Sequence, residues 1–300
     1  MSLIIHSSRC PVCGSSEIQQ VLTAKDYTVS LQNFEVWHCN ACSARFTQDI
    51  PDAENIGKYY QSENYISHSD TQKGLINQLY HLVRGHTLRS KRRLVEQSSR
   101  LSKGNLLDIG AGTGAFVAAM ELAGWNVAGL EPDASARNNA WQKHDIKLQL
   151  PEDLYGFSHQ QFDVITLWHV LEHVHDLHKY FETFHRILKD NGKLIIAVPN
   201  YTSYDAKYYK QFWAAYDVPR HLYHFSPASM QTLVKLKGFV VKRFMPMWFD
   251  SVYVSMLSEQ YKTGKQNFIK ALFIGLVSNV KALFNSKKCS SVIYVLEKIV

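Results

Sequence analysis

Three sets of residues in this chain have the types and spacings that chemistry requires. The first is Asp108 with Gly110, Gly112 and Gly114 in the run LLDIGAGTG. Alternating glycines let a backbone pass close to a ligand, and the first turn of a following helix offers unpaired N–H groups. The second is Cys10-Pro-Val-Cys13 with Cys39-Asn-Ala-Cys42. Two CxxC pairs supply four thiolates to a tetrahedral Zn²⁺ and leave no open position, so a structural metal is expected. The third is the stretch 217–226 (DVPRHLYHFS), where His221 is the first candidate for a general base or for substrate orientation, and His224 or Tyr223 the second. A histidine hydrogen-bonded within a structural loop is the competing reading of that stretch.

These residues need a frame. Residues 105–109 are continuously apolar and stop at glycine, as a buried parallel strand does, and 115–123 (AFVAAMELA) are strong helix formers closed by Gly124. Further strands are expected at 125–130, 146–148, 162–167 and 192–198, and helices at 134–143 and 169–188. Such alternation implies a parallel sheet with helices on both faces and ligands at the carboxyl ends of the strands. Upstream, 21–22 and 34–38 read as short strands of a zinc ribbon. A connector at 47–66 carries a cluster of Tyr59, Tyr60 and Tyr65. A helix over 74–101 follows, with Leu75, Leu79, Leu82, His86, Arg89 and Arg93 at helical spacing and a basic surface of Arg84, Arg89, Lys91, Arg92 and Arg93. Downstream, 201–225 is rich in aromatic residues and histidine, and Ser226-Pro227 caps a helix through 237. Strands are expected at 239–245, 251–256 and 292–296, the last placed to close the edge of the sheet. Residues 268–284 are apolar but interrupted by Lys270, Asn279 and Lys281. They are too polar to span a bilayer and read as a packed helix, with an interfacial helix as the alternative.

At 300 residues, 46% hydrophobic and 20% charged, the chain is an ordinary globular one of about two domains. No basic start followed by a long apolar run is present, so a cytoplasmic location with reduced thiols is expected. The net charge of +7 is uneven: −3 over 1–66, +6 over 67–103, −5 over 104–200 and +9 over 201–300. The basic segments suit an anionic small or carrier-linked substrate, with nucleic acid and an anionic membrane surface as the other classes; solvated Lys and Arg are the neutral reading. His173, His175 and His178, beside Glu172 and Asp176, read as residues on or near a helix rather than a metal triad.

Alone, the loop also fits the dinucleotide pattern GxGxx(G/A) through Gly110, Gly112 and Ala115, with Glu131 about twenty residues on, which leaves an NAD enzyme open. Asp108 instead suits a ligand carrying an ammonium group, as S-adenosylmethionine (AdoMet) does. LLDIGAGTG at 106–114, GLEPD at 129–133, FDVITLWHVLEHV at 162–174 and RILKDNGKLIIAVPN at 186–200 resemble, in order and spacing, the class I AdoMet-dependent methyltransferases. The resemblance covers about 104–245. It implies an α/β, Rossmann-like sheet, mostly parallel with an antiparallel last strand, in a domain over 104–300 with a helical insertion near 257–288. A zinc ribbon over 1–50 and a connector with a basic helix over 51–103 precede it. It also implies that Asp108, Gly110, Ala111, Gly112 and Gly114 hold the methionine part, Glu131 the ribose, and that Pro132 and Asp133 border the adenine. Asp153 is a further candidate for the adenine amino group, and Trp168 and His169 are expected to face the cofactor.

A four-cysteine zinc domain joined to such a fold is similar to the nucleotide-sugar C-methyltransferases, in which a His-Glu-His-Leu segment supplies the base. Here Pro219, Arg220, His221 and Leu222 stand at that place; only His221 and Leu222 match, and Arg220 is available to a substrate carboxylate or phosphate. The expectation is an AdoMet-dependent methyltransferase acting on a small or carrier-linked, anionic acceptor such as a sugar or secondary metabolite. An RNA methyltransferase that binds through the ribbon, and a non-catalytic AdoMet-binding interaction protein, are the competing readings.

Overall fold

The computed structural model describes residues 4–60, 75–265 and 267–299, without the side chains of 75–84 and 86. The expected Tyr65, and the side chains of the helix positions Leu75, Leu79, Leu82, Arg84 and His86, lie outside what is described. The strands are β1 (Ile4–Ile5), β2 (Ile18–Lys25), β3 (Asn33–Cys39), β4 (Arg45–Thr47), β5 (Ile50–Pro51), β6 (Asn105–Ile109), β7 (Asn126–Leu130), β8 (Phe162–Trp168), β9 (Leu188–Pro199), β10 (Tyr223–His224), β11 (Phe239–Pro246) and β12 (Ser291–Lys298). The helices are α1 (Leu75–Ser99), α2 (Ala115–Leu122), α3 (Ala134–His144), α4 (Leu177–Ile187), α5 (Tyr204–Tyr209), α6 (Pro227–Leu236), α7 (Asp250–Thr263) and α8 (Phe268–Phe284).

The main sheet has six strands in the order β11-β12-β9-β8-β6-β7, and β6 runs parallel to both β7 and β8. β12 therefore lies inside the sheet rather than at the edge expected of it; the edges are β11 and β7. The expected strand at 146–148 is reduced to one bridge, Leu130 with Gln149, because only the Gln149 peptide reaches β7, through Gln149 N–H to the Gly129 carbonyl at 2.9 Å.

The chain divides into two compact units, each assembled from separate stretches: 65–168, 179–196 and 295–300 in one, 1–64, 169–178 and 197–294 in the other. The first holds β6, β7, β8 and the glycine loop. Ala111, Val117, Ala118, Ala140, Ile146 and Leu148 form its core next to the loop. The helix expected at 74–101 is α1, on which Arg89, Arg92 and Arg93 are exposed while Leu94 and Val95 are buried.

The second unit holds the cysteines. β2, β3 and β4 form an antiparallel sheet, and β10, almost 180 residues further along, adds to it as a fourth strand through Tyr223 opposite Phe46 and His224 opposite Arg45. Ala24, Phe34 and Val36 of this sheet share a core with Tyr209, Trp213, Tyr216 and Val218, so the aromatic stretch after β9 is what the ribbon packs on. The expected strand at 251–256 is instead part of α7. Its β-branched and aromatic residues look like strand material, but Ser251, Ser255 and Ser258 fall at helical spacing and are all fully buried. Gly275 of α8 sits where an added Cβ would come within 2.8 Å of the Val252 Cα, which lets the two helices approach closely. The expected helix at 169–188 is broken into a short 3-10 turn, Leu171–His173, and α4. His169 adopts a left-handed backbone, φ 58°, which starts no helix.

Candidate active site

The groups expected at the cofactor come from one strand–loop–helix–strand run. Gly110, Gly112 and Gly114 all have positive φ, at 69°, 55° and 75°. Gly114 has a second constraint: a Cβ there would lie 2.7 Å from that of Ala140. At Gly112 an added Cβ would meet no atom within 4 Å, so the loop leaves open space above its backbone. Gly110 and Ala111 donate to the Leu130 carbonyl at 2.8 and 2.9 Å, fixing the end of β6 to the end of β7. Glu131 is buried, and its carboxylate accepts from Gly112 N–H at 2.8 Å and Asp133 N–H at 3.0 Å.

Asp108 ends β6, buried, and accepts from the Thr166 hydroxyl at 2.6 Å. Burial pushes its carboxyl up to about 7, with the Thr166 hydrogen bond and the nearby Lys91 ammonium working in the opposite direction. Trp168 packs edge-on against Phe116, and Lys91 Nζ lies 4.4 Å from the centre of its indole ring. Two further residues expected at the cofactor make local backbone contacts. Asp133 caps α3 by accepting from Ala136 N–H at 2.7 Å, and Asp153 accepts from Leu150 N–H at 3.0 Å in its own 3-10 turn. Pro132 is exposed beside them.

The four cysteines converge in the other unit. Cys10 Sγ lies 3.7 Å from Cys42 Sγ, and Cys13 Sγ 3.6 Å from Cys39 Sγ. Those separations are far beyond a disulfide and near the roughly 3.8 Å that tetrahedral Zn–S bonds of about 2.3 Å would give. Two turns present the thiols, closed by Gly14 N–H to the Cys10 carbonyl and Ser43 N–H to the Cys39 carbonyl. The donor set fits a closed structural zinc site.

The same unit gathers the histidines. His169, expected at the cofactor, has Nε2 2.8 Å from Asp250 and Nδ1 3.3 Å from Glu172. Both partners only accept, so the ring is an imidazolium. Burial opposes that charge, but the Asp250 and Glu172 carboxylates outweigh it and raise the ring to about 10. Burial likewise works against the Glu172 carboxylate, yet the His169 hydrogen bond and the surrounding imidazoles hold it below the usual range. Its Oε2 is buried with no hydrogen-bond partner.

His173 Nδ1 lies 3.0 Å from the Arg220 carbonyl and 3.0 Å from the Tyr60 hydroxyl, and His221 Nδ1 lies 2.9 Å from the Ala215 carbonyl. A carbonyl accepts, so each Nδ1 carries a proton and each Nε2 is the ring's other polar atom. Burial first, then His221, brings His173 down to about 4. Among the described residues two groups bring metal-ligating atoms within 4.8 Å of one another: the four cysteines, and Glu172, His173 and His221. The latter is not the trio considered from the sequence: His175 Nε2 is 2.9 Å from the Pro51 carbonyl and His178 Nε2 3.0 Å from that of Pro11.

His224 and Tyr223 sit in β10. His224 Nε2 is 3.1 Å from the Thr47 hydroxyl, its ring packs on Tyr216, and burial drives its pKa far down. Tyr223 donates to the His175 carbonyl at 3.2 Å, and burial raises its phenol. Both side chains hold the sheet together, which leaves His221 as the member of the expected trio placed in the cluster. Arg220 corrects a further expectation. Its guanidinium is fully buried and saturated, by Asp217 on Nε and NH2, Asp26 on NH2 at 3.0 Å, and the Tyr59 carbonyl on NH1 at 2.8 Å. No nitrogen is left for a substrate anion. Thr47 completes the frame, with its hydroxyl donating to the His221 carbonyl at 2.7 Å and its N–H to that of Leu222 at 2.9 Å.

Glu172, His173, Tyr60 and Asp250 were not singled out in the sequence as a site, because chain folding alone brings them together. Thr166 was missed as well, because its place opposite Asp108 is set by the β6–β8 register.

Parallel strands β6, β7 and β8 with a glycine turn that leaves space above it form a Rossmann-like frame. The chain belongs to the methyltransferase-domain family, whose model matches residues 81–243. It is 29% identical over 114 residues to a ubiquinone biosynthesis O-methyltransferase of Pseudomonas syringae pv. tomato, covering 35% of this chain and 49% of that protein. With the Coxiella burnetii protein of the same description it shares 28% identity over 157 residues, covering 50% of this chain and 65% of that one. The chain thus spans about half to two-thirds of the length of these relatives. A putative sarcosine dimethylglycine methyltransferase from Galdieria sulphuraria superposes with a TM-score of 0.51 at 16% identity, over 74% of this chain and 88% of that one, which shows the fold.

Proposed function

We propose that the chain transfers the methyl group of AdoMet to a small or carrier-linked anionic acceptor, with the glycine loop as the AdoMet-binding element and His221 as the general base. The observation that carries this reading is the convergence of Glu172, His173 and His221, one side-chain N or O atom of each within 4.8 Å of the others, in a chain of this family.

The loop fits AdoMet on its own terms. Open space at Gly112 admits a ligand, Asp108 offers a carboxylate to a cationic amino-acid end, and Glu131 offers one to ribose hydroxyls. When bound, AdoMet supplies an electrophilic methyl on a sulfonium. The protein's own work is alignment and proton removal. His221 Nε2 would take the proton that the acceptor loses as the methyl is transferred, with the ring held by the Ala215 carbonyl. Glu172 steadies the resulting imidazolium. An oxygen acceptor is supported by the O-methyltransferase relatives, and an anionic one by the +9 charge over 201–300. A zinc on the four cysteines would hold β4, and through Thr47 the loop carrying His221. Thiols spaced for a metal rather than joined as disulfides support a cytoplasmic setting.

The test is mass spectrometry of metabolite extract incubated with the protein and methyl-deuterated AdoMet. A species gaining the label with wild type and not with His221→Ala supports the proposal; no labelled species in any extract removes it.

A further inference from the structure

The C-terminal helical pair is amphipathic the wrong way round for a packed element. The buried residues of α8 are Ala271, Ile274, Gly275, Ser278 and Ala282, mostly small, and they allow close approach to α7 and a hydrogen bond from Ser278 to Asp205. Its large apolar side chains face outward. Ile269, Phe273, Leu276, Val280, Leu283 and Phe284 are between 50% and 88% exposed. The first five follow a 4-3-4-3 spacing, which keeps them on one stripe of the helix. Trp248 and Phe249 are exposed as well, and the Trp248 carbonyl is tied to α8 by the Asn279 amide at 2.9 Å. A soluble monomer rarely leaves so large an apolar surface in water.

Charge decides what covers it. Residues 260–296 contain six lysines and no acidic residue. Lys270 pairs with Glu259, while Lys262, Lys265, Lys281 and Lys288 are exposed. A second copy docking by this stripe would bring two such lysine sets together without acids to offset them. An anionic lipid surface offers the opposite sign around an apolar interior, and it also accepts aromatic residues at headgroup depth.

We propose that the apolar stripe of α8, with Trp248 and Phe249 beside it and lysines around it, docks on an anionic phospholipid bilayer and lies in its interface. No helix among the described residues is long and apolar enough to cross a membrane, so the contact is peripheral. The inference does not depend on methyl transfer.

Sedimentation of the full chain with vesicles tests it. Vesicles containing phosphatidylglycerol should bind the protein well above pure phosphatidylcholine, with affinity falling as salt rises and by roughly five-fold for either lysine removed, Lys281 or Lys288. The triple variant Ile269→Gln, Phe273→Gln, Leu283→Gln should lose at least ten-fold while keeping wild-type melting temperature and AdoMet affinity; if it fails to fold, the lysine variants read the same surface. Equal binding to neutral and anionic vesicles, no binding by wild type, or a stable dimer that the stripe variant dissociates would each overturn the proposal.

Discussion

Between Leu106 and Asp133 the groups proposed to hold AdoMet follow one another along a single strand, loop, helix and strand, and local backbone rules place them. The Glu172–His173–His221 cluster is made differently: Tyr60 and His173 are 113 positions apart, Thr47 and the His221 carbonyl 174. A local loop needs the right glycines. A dispersed cluster needs a sheet whose strands come from both ends of the chain, and here β10 joins β4 to provide it. The two regions should therefore fail separately when damaged.

The largest effect on cofactor affinity is expected at Asp108. Asp108→Ala should weaken AdoMet by more than about 100-fold, the loss of a buried charge-assisted contact, while the zinc content stays at wild type. His221→Ala should lower turnover by about 10² to 10⁴-fold with AdoMet affinity within two-fold, measured as S-adenosylhomocysteine release with the labelled acceptor. Cys39→Ser should act in the same direction by releasing β4 and the His221 loop. Metal analysis should find one zinc per chain in wild type and none in this variant. Two equivalents in wild type would reassign Glu172, His173 and His221 to metal binding.

How much of this the sequence showed depends on the distance between partners. Asp108, the glycines and Glu131 announce themselves because strand, turn and helix signals are local. Arg220 shows the opposite case. Beside His221 it looked available to a substrate, but Asp26, almost two hundred residues earlier, and Asp217 neutralise it in the core. α7 misled for a third reason: three buried serines stand where apolar residues would have revealed the helical period. Removing the guanidinium with Arg220→Met should cost about 3–5 kcal/mol in denaturant unfolding, because two carboxylates lose their partner.

The smaller effects are pH effects, and they differ in sign between the regions. His169 is raised to about 10 in the folded chain against about 6.5 unfolded, so its contribution to stability is complete below 6.5 and is lost as pH rises through 10. Wild type should lose its advantage in melting temperature over His169→Gln, about 5 °C, between pH 7 and 10.5. On the cofactor side, Asp108 is pushed up to about 7 and a cationic ligand favours its ionised form. AdoMet should bind about ten-fold more weakly at pH 6 than at pH 8, with a proton released on binding.

Calorimetric titration of AdoMet into wild type, Asp108→Ala and His221→Ala tests the separation of the two regions most directly. One equivalent should bind to wild type and to His221→Ala with matching affinity, and Asp108→Ala should give no heat. No binding by wild type, or equal losses in both variants, would contradict it.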